Sequence, residues 1–433
     1  MSPIFSTSLK LLFASPTGTY LLILLPIAVP LMFIYIWWVF RYRWLTMKFV
    51  EAQKTCLLEI KLPKEILKSP AGMEIFFSYF AQSGAPNYGE AFIDGKTKPW
   101  FSCELVSIGG EVKFFIWCSQ AKFKQTIESQ LYAQYPNIEV HEIAPEDDYT
   151  NKFYFDIGTY PMYALQYGKN KKKSDTYPIK TYIDFGLNED PKDEYKIDPL
   201  TSVLEFLGSI RKGENLWIQI LIQKHEKEDW KHGTLAKDVR DLKNEIKAEI
   251  EKVRAEAIPK AKKGDEETFK FPNPTKGQNE IIATIERNAS KTPLDCMMRG
   301  IYIAEKSVFN QANIGGLIGC FRQYSSNSLN SIGLGLNSDV SDTRKDFARI
   351  LPFLKKKNEE ERDHMREDLL HAYKLRSYFQ LPYKHYTHGS KPFIMTTEEL
   401  ASIFHFPSGL VSQTPTLARV GSKKSEAPAN LPI

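Results

Sequence analysis

The sequence has few of the residues and motifs that mark catalytic or metal-binding proteins. Among 433 residues there are five cysteines and eight histidines, and no two cysteines have the C-x-x-C spacing of a zinc or redox motif. The G-x-S-x-G turn of a serine hydrolase is also absent. The cysteines are widely spaced and lie mostly in apolar runs, which predicts buried thiols in a reducing compartment. They are Cys56, Cys103, Cys118, Cys296 and Cys320.

The sequence also lacks a complete phosphate-binding loop. The nearest approach is Gly89 with Gly95, Lys96 and Thr97, but five residues separate the two glycines where the motif has four. Pro99 would interrupt the following helix, whose N-terminus such a site needs. The stretch therefore predicts a turn between a helix and a strand, and we expect no nucleotide hydrolysis.

No strong excess of one charge is present. The 57 lysines and arginines face 52 acidic residues, for a net charge of +5, whereas a dedicated DNA-binding domain has a larger local excess. Two short lysine runs are candidate contacts for phosphates or anionic headgroups, although such runs are more often solvated loops. They consist of Lys169, Lys171, Lys172, Lys173, Lys355, Lys356 and Lys357.

The histidines do not predict a metal site. His385 and His388 have a ligand-like spacing, but the residues beside them supply no carboxylate or thiolate. His364 and His371 share a helical face within a run of alternating charges, which favours a solvated helix. We expect no metal, no cofactor and no catalytic residue, and therefore no enzyme.

What the sequence does contain is one long apolar run, from Tyr20 to Phe40, without a charged side chain. About 20 apolar residues at a rise of ~1.5 Å each match a hydrocarbon core of ~30 Å, so the run predicts one membrane-spanning helix within an anchor of residues 1–50. A cleaved signal peptide fits less well, since its apolar part is shorter. Pro26 and Pro30 are tolerated in a membrane helix.

An aromatic and basic collar lies at the end of the apolar run and just beyond it. Its residues are candidate membrane-interface anchors, namely Trp37, Trp38, Arg41, Arg43 and Trp44. Only Lys10 is basic before the span, and the excess of positive charge after it predicts that the N-terminus is outside and the main body is cytoplasmic.

The remaining chain predicts an α+β protein. The order of patterns in residues 51–148 is β-α-β-β-α-β, which favours a ferredoxin-like domain. Residues 149–325 predict a second α/β sandwich domain, with a strand near Thr181–Phe185 and a long helical insertion at about 227–275. Within that insertion, apolar residues from Leu235 to Ala257 form a narrow seam that fits packing inside the chain or against another subunit.

The C-terminal third has weaker patterns. Residues 326–406 predict mixed loop and helix, with 325–342 as loop and a short helix at 397–404 capped by Thr396 and Glu399. Residues 407–433 predict an extended linker. Gly315 and Gly319 are expected to allow close packing of a small helical segment.

Several segments together resemble a known family. They are SCELVSIGGEVKFFIWC (102–118), ESQLYAQYPNIEV (128–140), IERNASK (285–291), RGIYIAE (299–305), GLIGCFRQYSSNSLN (316–330) and TEELASIFHFP leading into SKKSEAPANLPI (422–433). With the N-terminal span, this combination is similar to the membrane-anchored N-terminal region of type IV secretion or conjugation-type DNA-pumping ATPases. The likeness extends over nearly the whole chain, and in long members of that family the last segment leads into the motor domain.

The resemblance implies a non-catalytic scaffold that docks or orients a separately encoded, hexameric-type translocation ATPase at the membrane. The expected partners are the lipid bilayer, that ATPase and a further copy of the chain. The alternative is a membrane-bound nucleic-acid-binding protein that acts through the basic loops, for which we expect salt-sensitive binding.

Overall fold

A computed structural model of the chain describes residues 16–63, 66, 68–152, 160–170, 172–188, 197–230, 237–257, 274–337, 352–383, 392–407 and 419–420. The fold is mixed α+β, with one N-terminal apolar helix and one large antiparallel sheet. It forms two compact units. The first comprises residues 1–52, 86–97 and 228–239, and the second comprises residues 53–85, 98–227 and 240–433.

The helices are α1 (Pro16–Ala52), α2 (Ala71–Phe80), α3 (Tyr88–Phe92), α4 (Lys124–Gln134), α5 (Pro199–Gly208), α6 (Leu242–Glu256), α7 (Lys276–Ala289), α8 (Gln311–Gly319), α9 (Pro352–Lys374) and α10 (Thr397–Ile403). The strands are β1 (Cys56–Pro63), β2 (Trp100–Ile108), β3 (Glu111–Cys118), β4 (Glu139–Ile143), β5 (Met162–Lys169), β6 (Glu214–Lys224), β7 (Glu228–Trp230), β8 (Lys237–Val239), β9 (Pro293–Ala304), β10 (Ile332–Asn337), β11 (Phe393–Thr396) and β12 (Arg419–Val420).

The large sheet runs through both predicted α/β domains without a break. Its order is β10-β5-β9-β6-β2-β3-β1, with β4 and β12 paired to β1 and with β11 paired to β9. The two halves meet where β2 pairs with β6, from Trp100 opposite Gln223 to Ile108 opposite Asn215. Each half has the same internal order, since β4-β1-β3-β2 is matched by β10-β5-β9-β6.

The alternation of side chains in the strands decides which face of the sheet is apolar. On β2, Phe101, Cys103 and Leu105 belong to the main hydrophobic core, whereas Ser102 and Glu104 point to the opposite face. Helix α2 adds a cluster of aromatic rings to this core, in which Phe80 stacks on Phe101 with ring centroids 4.1 Å apart. The opposite face is also buried, and it is there that polar side chains collect.

The C-terminal part of the predicted apolar seam packs inside the chain, whereas Val239 is 59% exposed and Leu235 lies outside the described residues. Ile250 and Val253 of α6 form a small separate core with Ile282 and Ile285 of α7. The helix is shorter than predicted because Lys237–Val239 pairs as a strand with Glu228–Trp230, and α6 begins only after Asp241, which caps it.

Two other local predictions were wrong. Residues 182–188 form turns rather than a strand, because Thr181 and Asp184 bond to each other in a local turn. Part of the predicted loop 325–342 is strand β10, in which Ile332 and Leu334 alternate with glycines beside β5. The predicted cap of α10 is confirmed: Thr396 accepts from the Glu399 N–H, and Glu399 accepts from the Thr396 N–H.

Candidate functional site

Helix α1 is the one helix in the described part of the chain that is long and apolar enough to cross a membrane. Its 37 residues correspond to about 56 Å at ~1.5 Å per residue, so it is longer than a hydrocarbon core of ~30 Å. The described apolar side chains between Leu25 and Tyr35 are exposed. The helix therefore has the surface that a lipid environment requires along its charge-free part.

The predicted collar divides into two faces of α1. Trp37, Phe40 and Trp44 lie on an open face, with 61%, 67% and 60% of their surfaces exposed. The basic residues stay close to these rings, since the Arg41 guanidinium lies 6.0 Å from the Trp37 ring centroid and Lys48 Nζ lies 5.1 Å from that of Trp44. Arg43 is also exposed. This mixture of rings and cations is typical of a headgroup interface.

The opposite face of α1 is covered by residues 86–97, which we call the collar segment. Phe92 is buried there, with its ring centroid 6.1 Å from Trp38 and 5.3 Å from Tyr42. Arg41 donates a hydrogen bond from Nη1 to the Phe92 carbonyl oxygen at 3.3 Å. The collar segment thus docks at the end of the charge-free run.

Gly95 allows a second close approach between the collar segment and α1. Its φ is +70°, and a Cβ atom placed there would lie 2.5 Å from the backbone carbon of Leu45. Only glycine meets both requirements without strain. Of the glycines that resemble a phosphate-binding loop, only Gly95 serves the contact with α1. Gly89 lies inside α3, and Lys96 pairs with Glu90 at 2.8 Å.

Lys169 is not a surface contact for anions, contrary to the prediction. Its side chain is 2% exposed, and Nζ lies 2.8 Å from Glu399 Oε1 and donates to the Ile394 carbonyl at 2.8 Å. It lies at the end of β5, where the strand alternation turns it inward. The lysine run from Lys169 to Lys173 therefore contains both a buried lysine, Lys169, and an exposed one, Lys172.

The other predicted lysines are not gathered into one described site. Lys172 is exposed, whereas Lys173 Nζ donates to the backbone carbonyls of Asn327 and Leu329, and burial lowers its pKa. Lys171 lies outside the described residues. Lys355, Lys356 and Lys357 are in the first turns of α9, but their side chains are outside the described set.

A buried charged site lies on the sheet face opposite the main core, and we call it the central polar cluster. Glu104, Gln219 and Arg299 are in register on β2, β6 and β9. Gln219 donates from Nε2 to Glu104 Oε1 at 2.8 Å and accepts from Arg299 Nε at 2.6 Å. Arg376, after α9, donates from Nε to Glu104 Oε1 at 2.8 Å and from Nη1 to Asp148 Oδ2 at 2.7 Å. Two carboxylates therefore face two guanidinium groups.

The central polar cluster fixes the end of α9. Arg299 donates from Nη2 to the Ala372 carbonyl at 2.8 Å, and Trp100 donates from Nε1 to the Arg376 carbonyl at 2.8 Å. Arg376 has a φ of +49°, and the hydrogen bonds from its N–H to Tyr373 and from the Ser377 N–H to Ala372 form the usual helix-ending motif. Glycine normally occupies this position, so the ion pairs of Arg376 offset the backbone cost.

The electrostatics of the cluster favour a charged Asp148 carboxylate. Burial tends to raise the pKa of the Asp148 carboxyl, but Arg376 and the Thr150 N–H outweigh it and hold that pKa below its ordinary value. Burial raises the pKa of the Tyr149 and Tyr373 hydroxyls well above the ordinary value. Tyr149 consequently stays protonated and donates to Glu104 Oε2 at 2.8 Å.

A second buried polar site surrounds α10, all of whose residues are buried. Glu398 accepts from Thr181 Oγ1 at 2.7 Å and from Arg287 Nε at 3.2 Å, and Glu399 pairs with Lys169. Burial raises the pKa of Glu398, although Thr181, Arg287 and Lys291 oppose the shift. We call this the α10 cluster.

Neither cluster presents an activated nucleophile. All five cysteines are buried. Burial raises the pKa of Cys103 and Cys296 well above the ordinary value and that of Cys320 to about 12, which favours the protonated thiol.

Among the described residues no group of three or more His, Cys, Asp or Glu side chains is arranged to hold a metal ion. His405 instead pairs with Asp198 at 3.0 Å, and His385 and His388 lie outside the described residues.

Sequence reasoning missed both polar clusters. A signal was present, because Glu104 interrupts the apolar run of β2 and Arg299 interrupts that of β9. A charged residue inside a buried strand requires a partner, but the partners Asp148 and Arg376 are distant in the chain. Only the fold identifies them.

A family comparison covers both clusters. Residues 86–418, about three quarters of the 433, match the family described as "Domain of unknown function (DUF8128)". The chain belongs to the DUF8128 family. In this DUF8128 protein the match includes the collar segment, the central polar cluster and the α10 cluster, and it does not include α1. None of the curated proteins matches the chain.

Proposed function

We propose that this DUF8128 protein is a non-catalytic, membrane-anchored scaffold. The observation that carries the proposal is helix α1, whose exposed apolar side chains suit lipid and whose collar suits the headgroup layer. The larger unit contains a continuous sheet, and two buried ion pairs, Arg376 with Glu104 and Lys169 with Glu399, lie beside it. Such internal pairing favours a rigid platform over a reaction centre.

The repeated strand order supports a more specific architecture. In each half, two helices alternate with the four strands in the order β-α-β-β-α-β, and the spatial order of the strands is the same. We propose that each half is a ferredoxin-like unit and that the two units share one sheet through β2 and β6. In the second half of the sheet, the hairpin of β7 and β8 and the helices α6 and α7 form an insertion between β6 and β9.

The partner suggested by the family resemblance is a separately encoded translocation ATPase of a type IV secretion or conjugation-like system. In this proposal the scaffold holds the ATPase at the cytoplasmic side of the membrane, an orientation supported by the basic residues after the span. The nucleic-acid alternative has less support, because Lys169 is buried in an ion pair and Lys173 donates to backbone carbonyls.

The distribution of the ATPase between membrane and soluble fractions tests this function. We expect the ATPase to be in the membrane fraction when the full chain is present and in the soluble fraction when Phe33 and Ile34 are both replaced by arginine, since each charge opposes insertion by about 2.5–3.5 kcal/mol. Lys172→Gln is the matched control and should leave the distribution unchanged. An ATPase that stays on the membrane regardless of the scaffold would contradict the proposal.

A further inference from the structure

The collar segment has an exposed apolar surface of its own. Ile93 is 66% exposed and Tyr88 is 41% exposed, although both are adjacent to Phe92, which is buried against α1. Ile93 follows α3 directly, so the collar segment leaves apolar surface exposed beside the ring that it buries.

The position of the collar segment along α1 favours lipid as the partner of this exposed apolar surface. Phe92 contacts Trp38 and Tyr42, which lie on either side of the point where the charge-free run ends between Phe40 and Arg41. At the same level, the open face of α1 carries the exposed rings of Trp37, Phe40 and Trp44. The collar segment and the exposed rings of α1 therefore lie at the same level along the helix, on different faces of it.

We infer that the collar segment is a second membrane contact, which lies in the headgroup layer with Ile93 inserted towards the acyl chains. The inference rests on the proposed membrane location of α1. A lipid surface fits because apolar and aromatic side chains are stabilised at the boundary between headgroups and acyl chains.

The proposed contact of the collar segment with lipid is hydrophobic rather than electrostatic, because the cation of this segment is paired with acidic residues. Lys96 is paired with Glu90 at 2.8 Å and lies 3.7 Å from Asp94. The segment itself therefore offers no excess of positive charge to anionic lipids. Insertion of Ile93 should be the same in vesicles of pure phosphatidylcholine and in vesicles that also contain phosphatidylserine.

A depth measurement along α1 tests the inference. Ile93→Cys, Ile34→Cys and Met47→Cys are made separately in the full chain, labelled with an environment-sensitive fluorophore and reconstituted in phosphatidylcholine vesicles. The five native cysteines are buried, and the unmodified chain gives the labelling background. Nitroxide-bearing lipids quench labels in the bilayer, and iodide quenches labels in water.

We expect the Ile93 label to be quenched by the nitroxide lipids at a level between the Ile34 and Met47 labels. Met47 lies about 10 Å beyond Phe40 along the helix and provides the shallow reference. Quenching of the Ile93 label by iodide alone, while the Ile34 label is quenched by lipid, would overturn the inference and leave the anchor intact. Absence of lipid quenching at Ile34 would instead overturn the membrane location and the proposed function.

Two glycine variants test whether the contact depends on docking against α1. Gly95→Ala places a methyl group against the Leu45 backbone and should separate the collar segment from the helix, so that lipid quenching of the Ile93 label falls severalfold. Gly89→Ala is the matched control, because its Cβ would meet the Asn87 side chain only at 3.5 Å. Equal loss of quenching in both variants, or in neither, would contradict the docking geometry.

Discussion

Arg376 and Glu104 are 272 positions apart in the chain, yet two hydrogen bonds of 2.8 and 3.1 Å join them inside the protein. Arg376 ends helix α9 and Glu104 lies on β2, the strand at which the two halves of the sheet meet. The pair therefore ties a helix end to the central seam of the sheet.

Replacement of Arg376 by glutamine should destabilise the protein strongly. Glu104 and Asp148 would remain buried without their cationic partner, and breaking a buried ion pair in this way costs about 3–5 kcal/mol. The free energy of unfolding of the full chain in detergent, from urea titration, gives the value. Lys152→Gln is the control, because its ion pair with Asp147 is exposed and such pairs contribute at most about 1 kcal/mol. A loss no larger than that of the control would refute the role of Arg376.

Lys169 and Lys172 should behave differently although both belong to one lysine run. Lys169→Gln leaves Glu399 buried without its partner, and we expect a loss of about 3–5 kcal/mol in the free energy of unfolding. Lys172→Gln changes an exposed side chain and should alter the free energy by less than about 0.5 kcal/mol. Equal effects of the two substitutions in thermal and urea unfolding would contradict the burial of Lys169.

The stability of the α10 cluster should depend on pH through Glu398. Because the folded protein raises the pKa of Glu398, its contribution is largest below the unfolded pKa of about 4.3 and is lost as the pH rises through the folded pKa. Glu398→Gln imitates the protonated form, so the stability of this variant relative to the native chain should increase from pH 4 to pH 7. Glu146→Gln, at an exposed position, should show no such trend. If the stability of Glu398→Gln relative to the native chain fell as the pH rises, the folded protein would not raise the pKa of Glu398.

Neighbouring glycines of α8 offer a test of packing on the apolar face. A Cβ at Gly316 would lie 2.2 Å from the Phe206 ring, whereas a Cβ at Gly315 would meet nothing within 4 Å. Gly316→Ala should therefore cost about 1–3 kcal/mol through overpacking. Gly315→Ala should stabilise the helix by about 0.5–1 kcal/mol. Calorimetry of the two variants should show melting temperatures that move in opposite directions, and a shared direction would contradict the packing.

Local patterns predicted most of the helices and strands but not their long-range partners. The cap of α10 was predictable because Thr396 and Glu399 are three residues apart. The complete burial of α10 was not, since glutamates are rarely buried unless they are paired, and their partners Lys169 and Arg287 come from other elements. The glycine pattern of α8 indicated close packing, but the structure assigns it to Gly316 rather than to Gly315 or Gly319.

The candidate site shows the same division between local and distant information. The apolar run and its collar were predictable because the 21-residue length of the run and the sequence of rings and cations are local features. The docking of Phe92 on Trp38 was not predictable, because a helical face contacted by a distant segment has no special pattern. The lysine run was misread at Lys169, since that residue is the last of the buried strand β5, whereas Lys172 and Lys173 lie in the turn that follows.

Physical association with a motor protein is the most direct test of the scaffold account. The full chain, extracted from its own membranes in mild detergent after cross-linking, is isolated, and the proteins bound to it are identified and assayed for ATP hydrolysis. The account predicts stoichiometric recovery of a translocation ATPase that has a phosphate-binding loop. Replacement of the lysine in that loop should abolish the ATP hydrolysis of the isolated complex. Recovery of the chain without such an ATPase, or hydrolysis by the purified chain alone, would contradict it.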